Sequence, residues 1–217
     1  VKITLLLYED FKMQALSLRK EEALVLTKDN GENLTNITLG LGWSTSRIVT
    51  EKEGGFLGFF AKTVEKVVPG RSIDLDSSVL VFDADKNCID NIYFGRLNGK
   101  GIKHLGDDRT GNDKKSATDN EQILIDLSKV DSRAKYLVFT INSFTGETFK
   151  QVAKSYCRIL DGDKEKVRVE LAEQGSYTAV ILAKVTKENG KWEIKNVSKT
   201  GNARTSSQLI PLAQSIL

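Results

Sequence analysis

Residues 176–201, "SYTAVILAKVTKENGKWEIKNVSKTG", hold an apolar run, an Asn189-Gly190 pair and a second β-rich run. Asn followed by Gly accepts the positive φ angles that a two-residue hairpin turn requires, so the stretch reads as two antiparallel strands. The same arrangement occurs in "SYCRILDGDKEKVRVELAE" (155–173), around Asp161-Gly162-Asp163. Upstream, "SIDLDSSVLVFDADKN" (72–87) enters a turn and "CIDNIYFGRL" (88–97) follows as its partner. "NITLGLGW" (36–43) is a further short strand, and "EQILIDLSKV" (121–130) alternates, with Ile123, Ile125 and Leu127 on one face. "AKYLVFTINSF" (134–144) is apolar throughout, as in a strand buried on both faces. Short strands at regular spacing, joined by such turns, predict an all-β fold: a two-sheet antiparallel β-sandwich.

Two segments depart from this pattern. "SSQLIPLAQSIL" (206–217) predicts a short C-terminal helix, with Leu209, Leu212, Ala213 and Ile216 on one side and Pro211 in the first turn. In "GGFLGFFAKTVEKVVPG" (54–70), Phe56, Phe59, Phe60, Val64, Val67 and Val68 fall near helical spacing. This predicts a short helix near 56–68 inside an insert spanning 47–70. Such a helix either covers one end of its own sandwich or docks onto a partner or a bilayer surface. Residues 1–12, "VKITLLLYEDFK", read as an N-terminal extension outside the natural domain, artificially added or variable, with an additional edge strand as the competing reading. A single domain is expected over 13–217.

The 217 residues are 40% hydrophobic and 28% charged, the balance of a soluble globular chain. A net charge of +3 gives no reason to expect nucleic acid as a partner. Cys88 and Cys157 lack a pairing pattern, which suits a reduced, cytoplasmic protein, at most peripheral to the inner membrane face. With His104 as the sole histidine, zinc ligation and Ser-His-Asp catalysis are unsupported, and His104 itself reads as a surface loop residue. Trp43 and Trp192 are expected in the core, Cys157 as a small buried hydrophobe, and Arg158 beside a local carboxylate.

Residues 106–121, "GDDRTGNDKKSATDNE", gather five carboxylates with no apolar residue beyond one Ala. Calcium takes six to eight oxygens from carboxylates, amides and carbonyls, and turning loops present all three. Crowded carboxylates repel each other, and a divalent cation reverses the sign of that interaction. Asp74 and Asp76, in "DLD", share one face of a strand. The loop adds Asp107, Asp108, Thr110, Asp113, Asp119, Asn120 and Glu121. The spacing is not that of an EF-hand, and neither a P-loop nor a dinucleotide fingerprint is present. By composition alone such a loop is usually a solvated acidic turn, which Arg96, Lys114 and Lys115 could neutralise without metal.

"LGLGW", "IDLDSSVLVFD", "GDDRTG", "DNEQILIDLSKV", "TFKQVAKSYCRILD" and "GKWEIKNVSKTG" occur in this order. Together they resemble the TerD family of tellurite-resistance and general stress proteins, from about Met13 onward and apart from the 47–70 insert. The resemblance implies a β-sandwich that binds calcium, generally at two neighbouring sites around the "DLD" strand and the acidic loop. It also implies a part in resistance to tellurite, phage and other stresses, with protein partners and without enzymatic activity. The family pattern is close to GDNxTGxGxGDDE; Gly106, Asp107, Thr110 and Gly111 match it, Asp108 replaces the usual Asn, and Asp119, Asn120 and Glu121 stand for the closing DDE. The intervening glycines are lost. Ser44 follows Trp43 where the family favours Asp, and Gly95-Arg96 replace an Asn pair. The ligand set the resemblance implies is Asp74, Asp76, Asp107, Asp108, Asp119, Asn120 and Glu121, with Glu121 suited to bidentate binding and Thr110 contributing its carbonyl or orienting the loop. The expected function is a non-enzymatic, calcium-ordered interaction module; the alternative is a calcium-dependent membrane-surface module using the 54–70 insert. A metal-dependent hydrolase lacks an obvious base.

Overall fold

The computed structural model describes residues 20–27, 32–53, 62–69, 73–112 and 119–217. In chain order its strands are β1 (Ala23–Val25), β2 (Asn36–Trp43), β3 (Arg47–Glu53), β4 (Lys62–Val68), β5 (Leu75–Phe82), β6 (Cys88–Ile92) and β7 (Asn98–Gly99). They continue as β8 (Ile102–His104), β9 (Glu121–Asp126), β10 (Tyr136–Ser143), β11 (Ser155–Asp161), β12 (Lys164–Glu170), β13 (Ala179–Glu188) and β14 (Lys191–Gly201). One sheet runs β1-β14-β13-β10-β5-β6 and the other β12-β11-β2-β9-β8-β7, with every pairing antiparallel. The expected two-sheet sandwich is the observed fold.

The hairpins form where the turn chemistry places them. Glu188 pairs with Lys191, and between them Asn189 and Gly190 have φ 49° and 76°, both positive as a type I′ turn demands. Asp161 pairs with Lys164 across Gly162, at φ 57°. The inner faces interlock through Leu39, Leu41, Ile123 and Ile159 of one sheet and Val79, Phe139, Ile141 and Leu182 of the other. Trp43 joins this core and donates its indole N–H to the Ile73 carbonyl at 2.8 Å.

The outer face of the first sheet carries a second apolar layer, with Leu80, Phe82, Val138 and Ile181 beneath Leu209 and Ala213. The covering element is a 3-10 turn (Ser206–Leu209) running into α1 (Ile210–Gln214), with Pro211 at its start. Strands β5 and β10 are therefore covered on both faces, which explains the unbroken apolar run of the sequence around 134–144.

The insert does not contain the expected helix over its described part. Lys62–Val68 is a strand paired with Arg47–Glu53, in register from Arg47↔Val68 to Glu53↔Lys62. Thr63, Val64, Val67 and Val68 are β-branched, which weakens a helix and suits a pleated strand, and cross-strand Lys66 ion-pairs with Glu51 at 3.1 Å and with Glu53. Phe56, Phe59 and Phe60, which completed the helical spacing, lie outside the described residues, as do residues 1–12.

The C-terminal cover contributes to stability through Leu209, which is 2% exposed. Leu209→Ala is expected to lower the unfolding free energy by about 2–5 kcal/mol, measured by urea denaturation. A loss below about 0.5 kcal/mol, the scale of an ordinary surface substitution, would show that the second apolar layer is not packed in solution.

Candidate metal centre

Strand alternation sets the first two candidate ligands. Leu75 is buried in the core, so Asp74 and Asp76 turn to the other face at the beginning of β5. The backbone here is held by β10: Asp76 lies opposite Asn142, and the Asp74 carbonyl accepts the Phe144 N–H at 2.9 Å. The Asn142 amide donates to Asp76 Oδ2 at 2.8 Å and also to the Arg204 carbonyl at 2.8 Å. The loop after β8 brings in Asp107, which is exposed. Asp74, Asp76 and Asp107 each offer one oxygen, and these three atoms lie within 4.8 Å of one another.

Glu121 approaches from the second sheet. β6 pairs with β5 only from Val79 onward, which leaves the Ser77 N–H on an open edge. Glu121, 1% exposed, takes it: Oε2 accepts both the N–H and the hydroxyl of Ser77, each at 2.8 Å. Its other oxygen, Oε1, is buried without a hydrogen-bond partner, and so is Asp74 Oδ1.

The electrostatics register this crowding. Burial, then the charges of Asp107 and Glu121, push the Asp74 carboxyl up to about 6, partly offset by Arg109. Burial, then Asp74 and Glu121, push Asp76 up to about 8 against the opposing Asn142 hydrogen bond. Among the described residues no Lys or Arg forms an ion pair with these three aspartates. Arg96, a candidate neutraliser in the sequence, is paired with Asp90 at 2.8 Å. Lys114 and Lys115 lie outside the described residues, together with Asp113. An all-oxygen donor set with two orphaned buried oxygens fits a hard cation.

The remaining candidates do other work. Asp108 organises the loop: Oδ1 accepts from the Thr110 N–H and hydroxyl, both at 2.9 Å, and from the Gly111 N–H at 3.1 Å, while Oδ2 accepts from Asn120 at 2.9 Å. Burial raises its pKa, but these four hydrogen bonds outweigh that and hold it below the ordinary value. Thr110 thus orients the loop. Asn120 staples it to β2, its Oδ1 accepting the Trp43 N–H at 2.9 Å.

Asp119 lies apart from the three-aspartate group. Its carboxylate is fully buried in a fork with Arg158, at 2.8 and 3.1 Å, and also accepts from Tyr156 and Gln122. A side chain at Gly40 would overlap this carboxylate. His104 is a correction: it is 1% exposed rather than a surface loop residue. Ile102-Lys103-His104 is a short alternating strand, and its pattern with apolar Ile102 was the available signal.

The TerD domain family model matches residues 14–211. This chain belongs to the TerD family. Among its TerD-family relatives is the tellurium resistance protein TerZ of Serratia marcescens, 32% identical over 193 residues, 88% of this chain and 92% of that protein. General stress protein 16U of Bacillus subtilis (strain 168) is 30% identical over 194 residues, covering 84% and 89% respectively. The crystal structure of a homologue of telluride resistance protein (TerD) from Streptomyces coelicolor A3(2) shares the fold, with a TM-score of 0.63 and 14% identity over 82% of this chain and 96% of that one. Among the described residues of this TerD chain no helix is long and apolar enough to cross a membrane.

The raised aspartates make a pH prediction. An unfolded Asp titrates near pH ~3.9. With folded values of about 6 and about 8, the native state binds more protons than the unfolded one across that window, so these groups' stabilisation is lost as pH rises. Chelator-treated protein is expected to melt at progressively lower temperature from about pH 5 to about pH 8, and Asp76→Asn to flatten the profile. A melting temperature that rises over this interval would contradict the buried, uncompensated state of the cluster.

Proposed function

We propose that this chain is a non-enzymatic, calcium-binding stress-response protein whose acidic loop is ordered by the ion into a surface for a protein partner in the cytoplasm. The observation that carries this reading is the convergence of Asp74, Asp76 and Asp107 within 4.8 Å, with the two strand aspartates buried and no ion-paired cation among the described residues. Asp74, Asp76 and Asp107 would hold the ion, with Glu121 Oε1 as the adjoining donor. The ion supplies positive charge that replaces mutual repulsion by attraction. Calcium suits the site better than magnesium, because the donors come from a strand and a loop and do not demand a strict octahedron. Asp108, Thr110 and Asn120 carry the loop, and Asp119 anchors its far end.

The names of the relatives, tellurium resistance and general stress, support a stress-resistance role. A non-enzymatic role accords with the sole histidine being engaged in buried hydrogen bonds. The membrane-surface alternative used the apolar insert 54–70; its phenylalanines lie outside the described residues, and its described part, Lys62–Val68, is a strand rather than the expected helix.

Calorimetric titration of chelator-treated protein with calcium is expected to give a saturable heat, together with a rise in melting temperature. At a calcium concentration about 100 times Kd the gain is about 2.7 kcal/mol. Asp76→Asn should abolish both effects while leaving the metal-free protein at least as stable, since it removes a buried carboxyl whose ionisation is unfavourable there. No heat and no thermal shift at about millimolar calcium would defeat the calcium reading.

A further inference from the structure

His104 stands where the ligand-bearing elements meet. Its Nδ1 accepts the Gly106 N–H at 3.1 Å. A ring nitrogen that accepts carries no proton, so the neutral imidazole has its proton on Nε2. Nε2 lies 3.4 Å from Ser77 Oγ and 3.5 Å from Glu121 Oε2. Ser77 passes its own hydroxyl and N–H to that same Glu121 oxygen. Both Ser77 donors therefore converge on Oε2, with His104 Nε2 behind them, and Oε1 is left without a hydrogen-bond partner. At the other end, the ring grips Gly106, the residue immediately before Asp107, which adopts φ 131°.

We propose that His104 is the positioning residue of the metal centre. The relay Gly106 N–H to His104, His104 Nε2–H to Ser77, and Ser77 to Glu121 sets the distance between the loop and β5 and keeps Glu121 Oε1 as a ready donor. The inference rests on the metal reading above and adds to it a residue that touches no ion. Groups that orient ligands from behind typically change metal affinity by about ten- to a hundredfold when removed.

The chain has one histidine, so nitrogen-15 NMR reports this ring alone. The expected signature, in chelator-treated and in calcium-loaded protein, is a protonated Nε2 and a bare Nδ1. A dominant Nδ1–H tautomer, or an even mixture, overturns the relay. Calorimetry then compares the wild type with two variants. His104→Phe fills the volume without either hydrogen bond and is expected to bind calcium about ten- to a hundredfold more weakly. His104→Gln restores a donor near the Nε2 position and is expected to recover most of the lost affinity. Calcium binding by wild type and by folded His104→Phe with equal affinity overturns this inference alone, whereas a wild type that binds no calcium overturns the metal reading and this one with it. If His104→Phe does not fold, His104→Asn, which keeps the Gly106 acceptor but loses the donor, takes its place under the same criterion.

Discussion

Strand β5 is covered on both faces, yet two carboxylates, Asp74 just before it and Asp76 within it, converge at its start with a third, Asp107. Ionised oxygens so placed lose hydration and repel one another, and both effects hold Asp74 and Asp76 in a protonated state well above the usual carboxylate range. This local conflict organises the rim of the sandwich. Asn142 donates to Asp76, Ser77 donates twice to Glu121, and the loop from β8 delivers Asp107 rather than a lysine. A buried polar cluster that is only partly satisfied is costly, and two of its acceptor oxygens, Asp74 Oδ1 and Glu121 Oε1, are left without a hydrogen-bond partner.

The sandwich makes that arrangement possible because it is tied together from both directions. The core between the sheets holds β5 against β10, and the C-terminal turn and α1 cover its other face. The Asn142 amide links Asp76 to the Arg204 carbonyl, just before that covering segment. The acidic loop is tied down at each end. Asp108 gathers four donors at its start, and Asp119 is locked to Arg158 and Tyr156 at its finish. A loop fixed at its ends loses less conformational freedom when a ligand orders it, which favours binding without large rearrangement.

Much of the fold was legible from local chemistry. The turns at Asp161-Gly162 and Asn189-Gly190 announced two hairpins, alternation in 121–127 announced an inward-facing strand, and Pro211 marked the start of the final helix. The insert misled because helical and strand periods are hard to separate in a short apolar segment. The β-branched residues of 62–68 were the better guide, and pairing with 47–53 decided the outcome. His104 misled because its neighbours in sequence are loop-like, whereas its position on a three-residue strand turns it inward.

By itself the sequence determined the all-β architecture, the order of its hairpins and the pool of oxygen donors, because strand period and turn chemistry act over a few residues. Tertiary structure decided which acids meet. Asp119 and Glu121 are two positions apart, and a regular strand would put them on one face. The chain instead bends at Asn120, whose N–H reaches the Leu41 carbonyl at 2.7 Å, so Asp119 is buried against Arg158 on the opposite face of the sheet while Glu121 points in beside Ser77. Asp107 joins Asp74 and Asp76 only because separate segments are brought to one edge of the sandwich. Such meetings depend on register between distant strands, a quantity that no short stretch of sequence contains.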